Sequence, residues 1–280
     1  MIRSNNIRSL YKYLKRKKIK SLVVFTGDRS FKNSGIKIPD HIQTIFFKNI
    51  KRNPTEKDII KLPIFPNCDA YLAIGGGSVI DFAKLYITMV SWRPRFLIVT
   101  TTAGSGSEAT GFASLYHDKK KTSVKIDIRP DLIISDPAIV DTMPAEIRAA
   151  SYLDAFIHAI ESQWSKRATW ISKYYSKKAV KLLLDDRYID GAYYAGKAIN
   201  IAHTNIIHAI SYYLMFAYDL LHGFAVGIAF ILLFPYHPYA KKIKSILDSC
   251  DVQIPDLPLR EVLKYANKER LDNYDWGHSL

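Results

Sequence analysis

Cysteine is scarce in this chain: Cys68 and Cys250 are the only two in 280 residues. Two cysteines build no disulfide framework and their spacing matches no thiolate metal site, so both read as incidental thiols in a reducing compartment. Long apolar runs are missing too. The most apolar stretch, 223–235, falls short of the roughly 18–20 residues a membrane span needs and reads as a buried helix. The N-terminus has charge but no apolar segment, so no signal peptide is evident, and a soluble, cytoplasmic protein with no membrane partner is expected. Acidic residues are in deficit, with 26 Asp and Glu against 40 Lys and Arg, a formal net charge of +14. Part of the excess is local: Lys12, Lys15, Arg16, Lys17, Lys18 and Lys20 crowd one segment and read as a solvated helix face. No zinc-finger, helix-turn-helix or RNA-binding signature accompanies the charge, so nucleic acid is not an expected partner. Part of it can instead steer anionic ligands such as a dinucleotide or a phosphorylated substrate. With 48% hydrophobic and 24% charged residues, the chain has ordinary globular composition and length enough for a substantial core.

The first half alternates short β-rich runs with helical stretches. Strand candidates are 21–26, 43–47, 70–74, 95–101 and 131–136, and a helical pattern runs from Ser78 to Val90. Apolar strands alternating with helices indicate a mainly parallel sheet covered on both faces. From Pro144 the β signal fades and helical patterns take over at 144–164, 170–184, 190–217 and 223–233. Pro144 suits the first turn of a helix, which sets the boundary. The expected architecture is an α/β Rossmann-like dinucleotide-binding domain over 1–143 and an all-α metal-binding domain over 144–280.

Gly75, Gly76, Gly77 and Ser78 lie between a strand and a helix. The glycines let the backbone approach a ligand closely, and the helix start offers free N–H groups to an anion. A tight strand-to-helix turn is the plain alternative, since neither a Walker loop nor G-x-G-x-x-G is present. A second small-residue segment, TTTAGSGSEAT (100–110), follows the next strand, and two such loops at neighbouring strand ends suit a dinucleotide crevice.

Asp154 and His158 stand four apart in a helical stretch, so both side chains leave one face and can grip one ion. With His208 and His222 they look like a complete ligand set for one divalent metal. Three imidazoles and a carboxylate suit Fe(II) or Zn(II) rather than Ca or Mg. The separation of His208 from His222 sets a geometric condition. On one continuous helix those fourteen residues rise about 21 Å, too far for one ion, so the chain must turn between them. Asp219 and Gly223 are the best local signals for that turn. Glu161, three past His158, reads as a structural partner or a hydrogen-bonding support for a ligand rather than as a ligand. His117, His203, His237 and His278 read as surface residues.

GGGSVIDFAK, TTAGSGSEAT, ISDPAIVDTMP, DAFIHAIES and the late His-Gly occur in the order that resembles the iron-containing alcohol dehydrogenase family, over about 21–235, with the flavour of its phosphonoacetaldehyde reductase branch. The resemblance implies the dehydroquinate synthase-like fold of that family. It implies Asp154, His158, His208 and His222 as metal ligands and Gly75, Gly76, Gly77 and Ser78 as the pyrophosphate loop, with Asp81 behind it. Thr101, Thr102 and Ser105 fall along the nicotinamide and its ribose, and Lys121 and Asn53 near the cofactor. Tyr212 stands where many members carry a second histidine. Gly27 replaces an Asp common in NAD-preferring members, and with Arg29 and Lys32 nearby this favours NADPH over NADH. The implied activity is metal-dependent hydride transfer between NAD(P)H and a small aldehyde or alcohol, with phosphonoacetaldehyde or another anionic substrate suiting the basic charge balance and homodimerisation left open. The rival is a degenerate relative that binds nucleotide only. Dehydroquinate synthase-like cyclisation ranks lower, because GSGSEAT and the Asp-x-x-x-His pair are foreign to it. Thr100 departs from the usual Pro, the 181–196 joint resembles a compressed helical hairpin, and the region after Pro235 is abbreviated.

Overall fold

The computed structural model describes residues 1–65, 67–90, 94–117 and 120–277, and His278 lies outside them. The chain forms two compact units: Met1–Thr102 with Thr110–Met143, and Ala103–Ala109 with Pro144–Leu280.

The first unit runs β1 (Ile2–Ser4), α1 (Arg8–Arg16), β2 (Ser21–Thr26), α2 (Asp28–Ser34), β3 (Gln43–Phe47), α3 (Glu56–Ile60), β4 (Ala70–Gly75), α4 (Gly77–Thr88), β5 (Arg95–Thr100), β6 (Phe112–His117), β7 (Lys120–Lys125), β8 (Leu132–Ile134) and α5 (Pro137–Val140). Six strands form one parallel sheet in the order β1-β8-β5-β4-β2-β3, and β6 pairs with β7 as an antiparallel hairpin. The inner strands β2, β4, β5 and β8 are mainly apolar because both faces are covered. Leu22, Val24, Leu72, Ile74 and Leu97 pack with Leu10, Tyr13 and Leu14 of α1. Val23, Phe25, Tyr71, Ala73 and Phe96 pack with Val79, Ile80 and Phe82 of α4. The basic residues of the α1 segment are all exposed, as a solvated face requires. From β2 the chain steps outward to β3, then returns to place β4 and β5 on the other side of β2. That reversal, at the carboxyl ends of β2 and β4, is where open α/β sheets bind ligands.

The second unit is helical: α6 (Ala145–Glu161), α7 (Trp170–Leu184), α8 (Tyr188–Ala202), α9 (Ile206–Ala217), α10 (His222–Leu233), α11 (Ala240–Asp248), α12 (Leu259–Lys264) and α13 (Lys268–Asp272). No described helix is long and apolar enough to cross a membrane.

Three features depart from the sequence reading. Strand β1 and the β6–β7 hairpin were not among the expected strands. The stretch 190–217 is two helices, broken where His203 takes φ 60° and Asn205 caps α9 by accepting from Ile206 N–H at 2.8 Å. Finally, Ala103–Ala109 packs with the helical unit rather than the first. Gly106, at φ 64°, lies so close to Gly196 that a Cβ there would come within 2.4 Å of the Gly196 Cα.

The turn required between His208 and His222 is present. Helix α9 ends in a Schellman motif: Asp219 takes φ 49° and Leu220 N–H donates back to Met215 O at 3.1 Å. The α7–α8 hairpin closes in the same way, with Asp186 at φ 55° and Arg187 N–H donating to Leu182 O at 2.8 Å. Asp tolerates the left-handed region better than most residues, so neither turn needs glycine.

Candidate metal centre and cofactor loop

In the first unit, Gly75 ends β4 and Gly76 caps α4, whose N-terminus has no side-chain cap. The first N–H groups of a helix have no partner within it, and an uncapped start can offer them to an anion. The β5 segment meets this turn: Thr101 N–H donates to Gly75 O at 3.1 Å. A Cβ on Gly76 would stand 2.7 Å from the Thr102 hydroxyl, so only glycine allows that approach. Asp81 and Lys84 on α4 anchor the hairpin. Asp81 accepts from Ser114 N–H at 2.8 Å, and Lys84 donates to Thr110 O and Phe112 O at 2.9 and 2.8 Å. Asn53, at φ 61°, precedes Pro54, whose carbonyl accepts from Tyr116 N–H at 3.0 Å. Lys121 lies over the Tyr116 ring at 6.0 Å. The structure thus groups Asn53, Asp81 and Lys121 around the hairpin. Ser105 belongs to the helical unit, where its hydroxyl accepts from Ser107 N–H at 3.3 Å. Gly27 caps α2 and has room around it, since a Cβ there would meet only Ser30 Oγ at 3.5 Å and Ile50 O at 3.7 Å.

In the second unit, α6 carries Asp154 and His158 on one face, α9 carries His208 near its start, and α10 begins with His222. The Nε2 atoms of His158, His208 and His222 lie 3.4, 3.5 and 3.7 Å from one oxygen, Asp154 Oδ1. Asp154, His208 and His222 offer ligand atoms all within 4.8 Å of one another, and the His158 ring stacks on His208 at 4.7 Å. These spacings exceed those of an N–H···O bond, about 2.7–3.2 Å. The three distances to Asp154 Oδ1 lie near the edge of a tetrahedral shell whose bonds are about 2.0–2.1 Å, for which neighbouring ligands stand roughly 3.4 Å apart. Asp154 Oδ1 and His208 Nε2 are buried with no hydrogen-bond partner, a costly state that a shared cation would relieve. The donor set fits a divalent ion of borderline softness.

Glu161 orients His208. Fully buried, it accepts from Asn205, Ile207 and His208 N–H through Oε1 at 3.3, 2.7 and 3.1 Å, closing the N-terminus of α9. Its Oε2 lies 2.5 Å from His208 Nδ1. A carboxylate there fixes the Nδ1–H tautomer and aims the Nε2 lone pair at Asp154 Oδ1. Burial would raise the Asp154 pKa, yet His158, His222 and His208 outweigh it and hold the carboxyl far below its usual range. Burial likewise opposes the Glu161 charge, and His208 reverses the balance to lower its pKa. For His208 burial disfavours the cation, but Glu161 and Asp154 outweigh it and raise the pKa.

The Asp154, His158 and His208 side chains are 9%, 7% and 2% exposed, whereas the His222 side chain is 21% exposed. Tyr212 is buried, its ring 5.9 Å from that of His222. His117 is exposed and His203, half-buried, meets the Arg167 guanidinium at 2.7 Å. His237 is not the surface residue expected: it is half-buried against Trp164, Phe230 and Tyr239, and burial lowers its pKa. Sequence reasoning also missed Asn205, whose backbone and side-chain N–H groups both donate to Glu161. Asn205 could have been found as a cap residue ahead of an apolar run.

The family model for iron-containing alcohol dehydrogenase matches residues 1–142. Phosphonoacetaldehyde reductase of Streptomyces viridochromogenes is 30% identical over 248 residues, covering 70% of this chain and 63% of that protein. The NAD-dependent methanol dehydrogenase of Bacillus methanolicus is 30% identical over 193 residues, covering 56% of this chain and 50% of that protein. The matches thus span less than two thirds of these relatives' length. Among solved structures, sulfoacetaldehyde reductase from Bifidobacterium kashiwanohense, in complex with NAD+, superposes with a TM-score of 0.82 at 20% identity, covering 98% of this chain and 92% of that one. The iron-containing alcohol dehydrogenase of Thermotoga maritima superposes at 0.77 and 19% identity, with the same coverage. The fold is therefore shared along nearly the whole chain, and the sequence match over its first half makes the chain a member of the iron-containing alcohol dehydrogenase family.

Proposed function

We propose that the chain is a metal-dependent oxidoreductase that transfers a hydride between NAD(P)H and a small aldehyde or alcohol. The observation that carries this reading is the convergence of three imidazole Nε2 atoms on the buried, unpartnered Asp154 Oδ1. Asp154, His158, His208 and His222 would hold the ion, Fe(II) or Zn(II) by donor type. When bound, such an ion supplies Lewis acidity toward a substrate oxygen. One carboxylate and three neutral imidazoles leave a divalent ion with a net positive charge, which suits that task. The hydride chemistry belongs to the nicotinamide cofactor, for which Gly75, Gly76, Gly77 and Ser78 would seat the pyrophosphate, with Thr101 and Thr102 beside them. Tyr212 brings a phenol to the more open, His222 side of the cluster, where it can hand a proton to the oxygen that becomes the alcohol.

The substrate is proposed to be a short aldehyde bearing an anionic group. Two similar proteins are named as reductases of phosphonoacetaldehyde and sulfoacetaldehyde, and the chain carries a net charge of +14, which favours anion capture. For the cofactor, Gly27 puts no carboxylate beside a 2′-phosphate and Arg29 and Lys32 are exposed nearby, which supports NADPH. The names of two similar proteins specify NAD, which supports retained use of NADH.

The test is elemental analysis of the purified protein together with NAD(P)H oxidation on short aldehydes. One metal per chain, lost in His208→Ala along with turnover, is expected. Stoichiometric metal with no turnover on any aldehyde would instead mark a degenerate relative.

A further inference from the structure

The helix that carries His208 starts at a strained joint. Between α8 and α9, His203 takes φ 60° and ψ 165°, a region that belongs almost to glycine alone. A side chain persists there only when its surroundings hold it. The holding group comes from far along the chain. The buried Asn273 amide donates to Ala202 O and Thr204 O at 3.0 and 3.2 Å, the carbonyls of the residues before and after His203. Its Oδ1 stands 3.1 Å from the Ser165 hydroxyl, which also faces Ala202 O. Asn273 is itself fixed in place. Lys166 N–H donates to its carbonyl at 2.9 Å, and Asp275 N–H donates to Trp164 O at 2.8 Å. At the other end of this segment, Asn267 N–H donates to Ala209 O at 2.9 Å, one residue past His208. Residues 267–275 therefore bridge the loop after α6 and the first turn of α9.

Two residues past His203 stands Asn205, fully buried. Its side-chain amide donates to Glu161 O at 2.8 Å, its Oδ1 accepts from Ile206 N–H at 2.8 Å, and its own N–H donates to Glu161 Oε1 at 3.3 Å. The same carboxylate faces His208 Nδ1. The path from Asn273 to a metal ligand is therefore short: the clamped joint, Asn205 and Glu161. A primary amide suits the first link, because it offers two donors and an acceptor on one rigid plane. A joint released from its clamp relaxes away from φ 60° and carries the start of α9 with it. We propose that Asn273 is a positioning residue of the metal centre. By pinning the peptide groups around His203 it sets where α9 begins, and hence how the His208 imidazole meets Glu161 and the ion. This rests on the metal site of the hydride-transfer reading above.

The test compares wild type with Asn273→Ala, Asn273→Asp and Ser165→Ala on three readouts. Chelator competition gives the zinc affinity, and the visible absorption of the cobalt-substituted protein reports the ligand geometry. In the metal-free protein, the downfield resonance of the His208 Nδ1–H proton, identified by its loss in His208→Gln, reports the contact with Glu161. Asn273→Ala and Asn273→Asp are expected to bind zinc about 10–100-fold more weakly, the scale on which support of a ligand counts. Their cobalt bands should change and the proton resonance should move. Ser165→Ala should show the same changes to a smaller degree, and it carries the test if the Asn273 variants do not fold. Adding His203→Gly to Asn273→Ala should recover part of the affinity, because glycine holds a positive φ without a clamp. A lower melting temperature with wild-type affinity, cobalt bands and proton resonance would mean that Asn273 only anchors its own segment, and would overturn the proposal. A double variant no better than Asn273→Ala would overturn it too. If wild type binds no metal, the metal site fails, and the proton resonance decides alone: moved in the Asn273 or Ser165 variants it supports the clamp, unmoved it refutes it.

Discussion

At the scale of single residues, Glu161 joins two structural demands in one carboxylate. It accepts the first N–H groups of α9 and it faces His208 Nδ1. A Gln there keeps the shape, but its amide carries a donor where only donors approach, and it removes the charge that fixes the imidazole. Glu161→Gln is expected to weaken zinc binding about 10–100-fold, the usual cost of losing a ligand's hydrogen-bonding support. It should also destabilise the metal-free protein by about 3 kcal/mol, the scale of breaking a buried charged pair. Chelator competition and denaturant melts measure the two, and unchanged zinc affinity would show that Glu161 serves the helix alone. Gly27 poses the opposite case, since a side chain fits there at ordinary contact distance. Gly27→Asp should leave stability near wild type and shift the ratio of kcat/KM toward NADH, because a carboxylate repels a 2′-phosphate and can accept from the ribose hydroxyls. A ratio that does not move would remove Gly27 from the cofactor site.

At the scale of elements, the centre depends on α10 pressing against α6. A Cβ on Gly223 would stand 1.8 Å from Ala150 O, so glycine is what lets His222 approach Asp154. Gly223→Ala should cost about 3 kcal/mol or more by overpacking, and it should lower the metal content, because a displaced α10 carries His222 with it. Thermal melting and elemental analysis would check this, and full metal retention would contradict it. The same elements mark how far the sequence could be read. The strands 21–26 and 70–75 were legible because burial on both faces makes them continuous apolar runs, and 43–47 because its Ile-Phe-Phe run is β-rich. The β6–β7 hairpin was not: LYHDKKKTS is charged, and its place is set by Asp81 and Lys84 reaching from α4. The break at 203–205 carries no Gly or Pro, and its one local signal is Asn205 as a cap residue ahead of an apolar run. Asp154 and His158 were legible as a helical pair, whereas the convergence of His208 and His222 on them needed an Asp in the left-handed region and a glycine contact between distant helices.

At the scale of the whole molecule, protons and metal compete for one buried cluster, and stability should follow pH accordingly. In the metal-free protein burial opposes the charges of Asp154, Glu161 and His208. Even so, the histidines lower the pKa of Asp154 and His208 lowers that of Glu161, while the two carboxylates raise that of His208. A lowered carboxyl contributes stability that is complete above its ordinary value, 3.8 for Asp and 4.5 for Glu, and is lost as pH falls through the folded value. A raised imidazole contributes stability that is complete below its ordinary 6.5 and is lost as pH rises through the folded value. The cluster therefore stabilises the metal-free protein most between 4.5 and 6.5. Above that window its contribution declines as His208 loses its proton. Metal needs the neutral imidazole, so zinc affinity should climb through the same alkaline range and uptake should release protons. Melting temperatures from about pH 5 to about pH 9, with and without zinc, read both effects. The metal-free curve should fall toward alkaline pH while the zinc-induced rise in melting temperature grows. A zinc-induced rise that is the same at both ends of the range would mean that His208 binds no metal, and the ligand set would have to be redrawn without it.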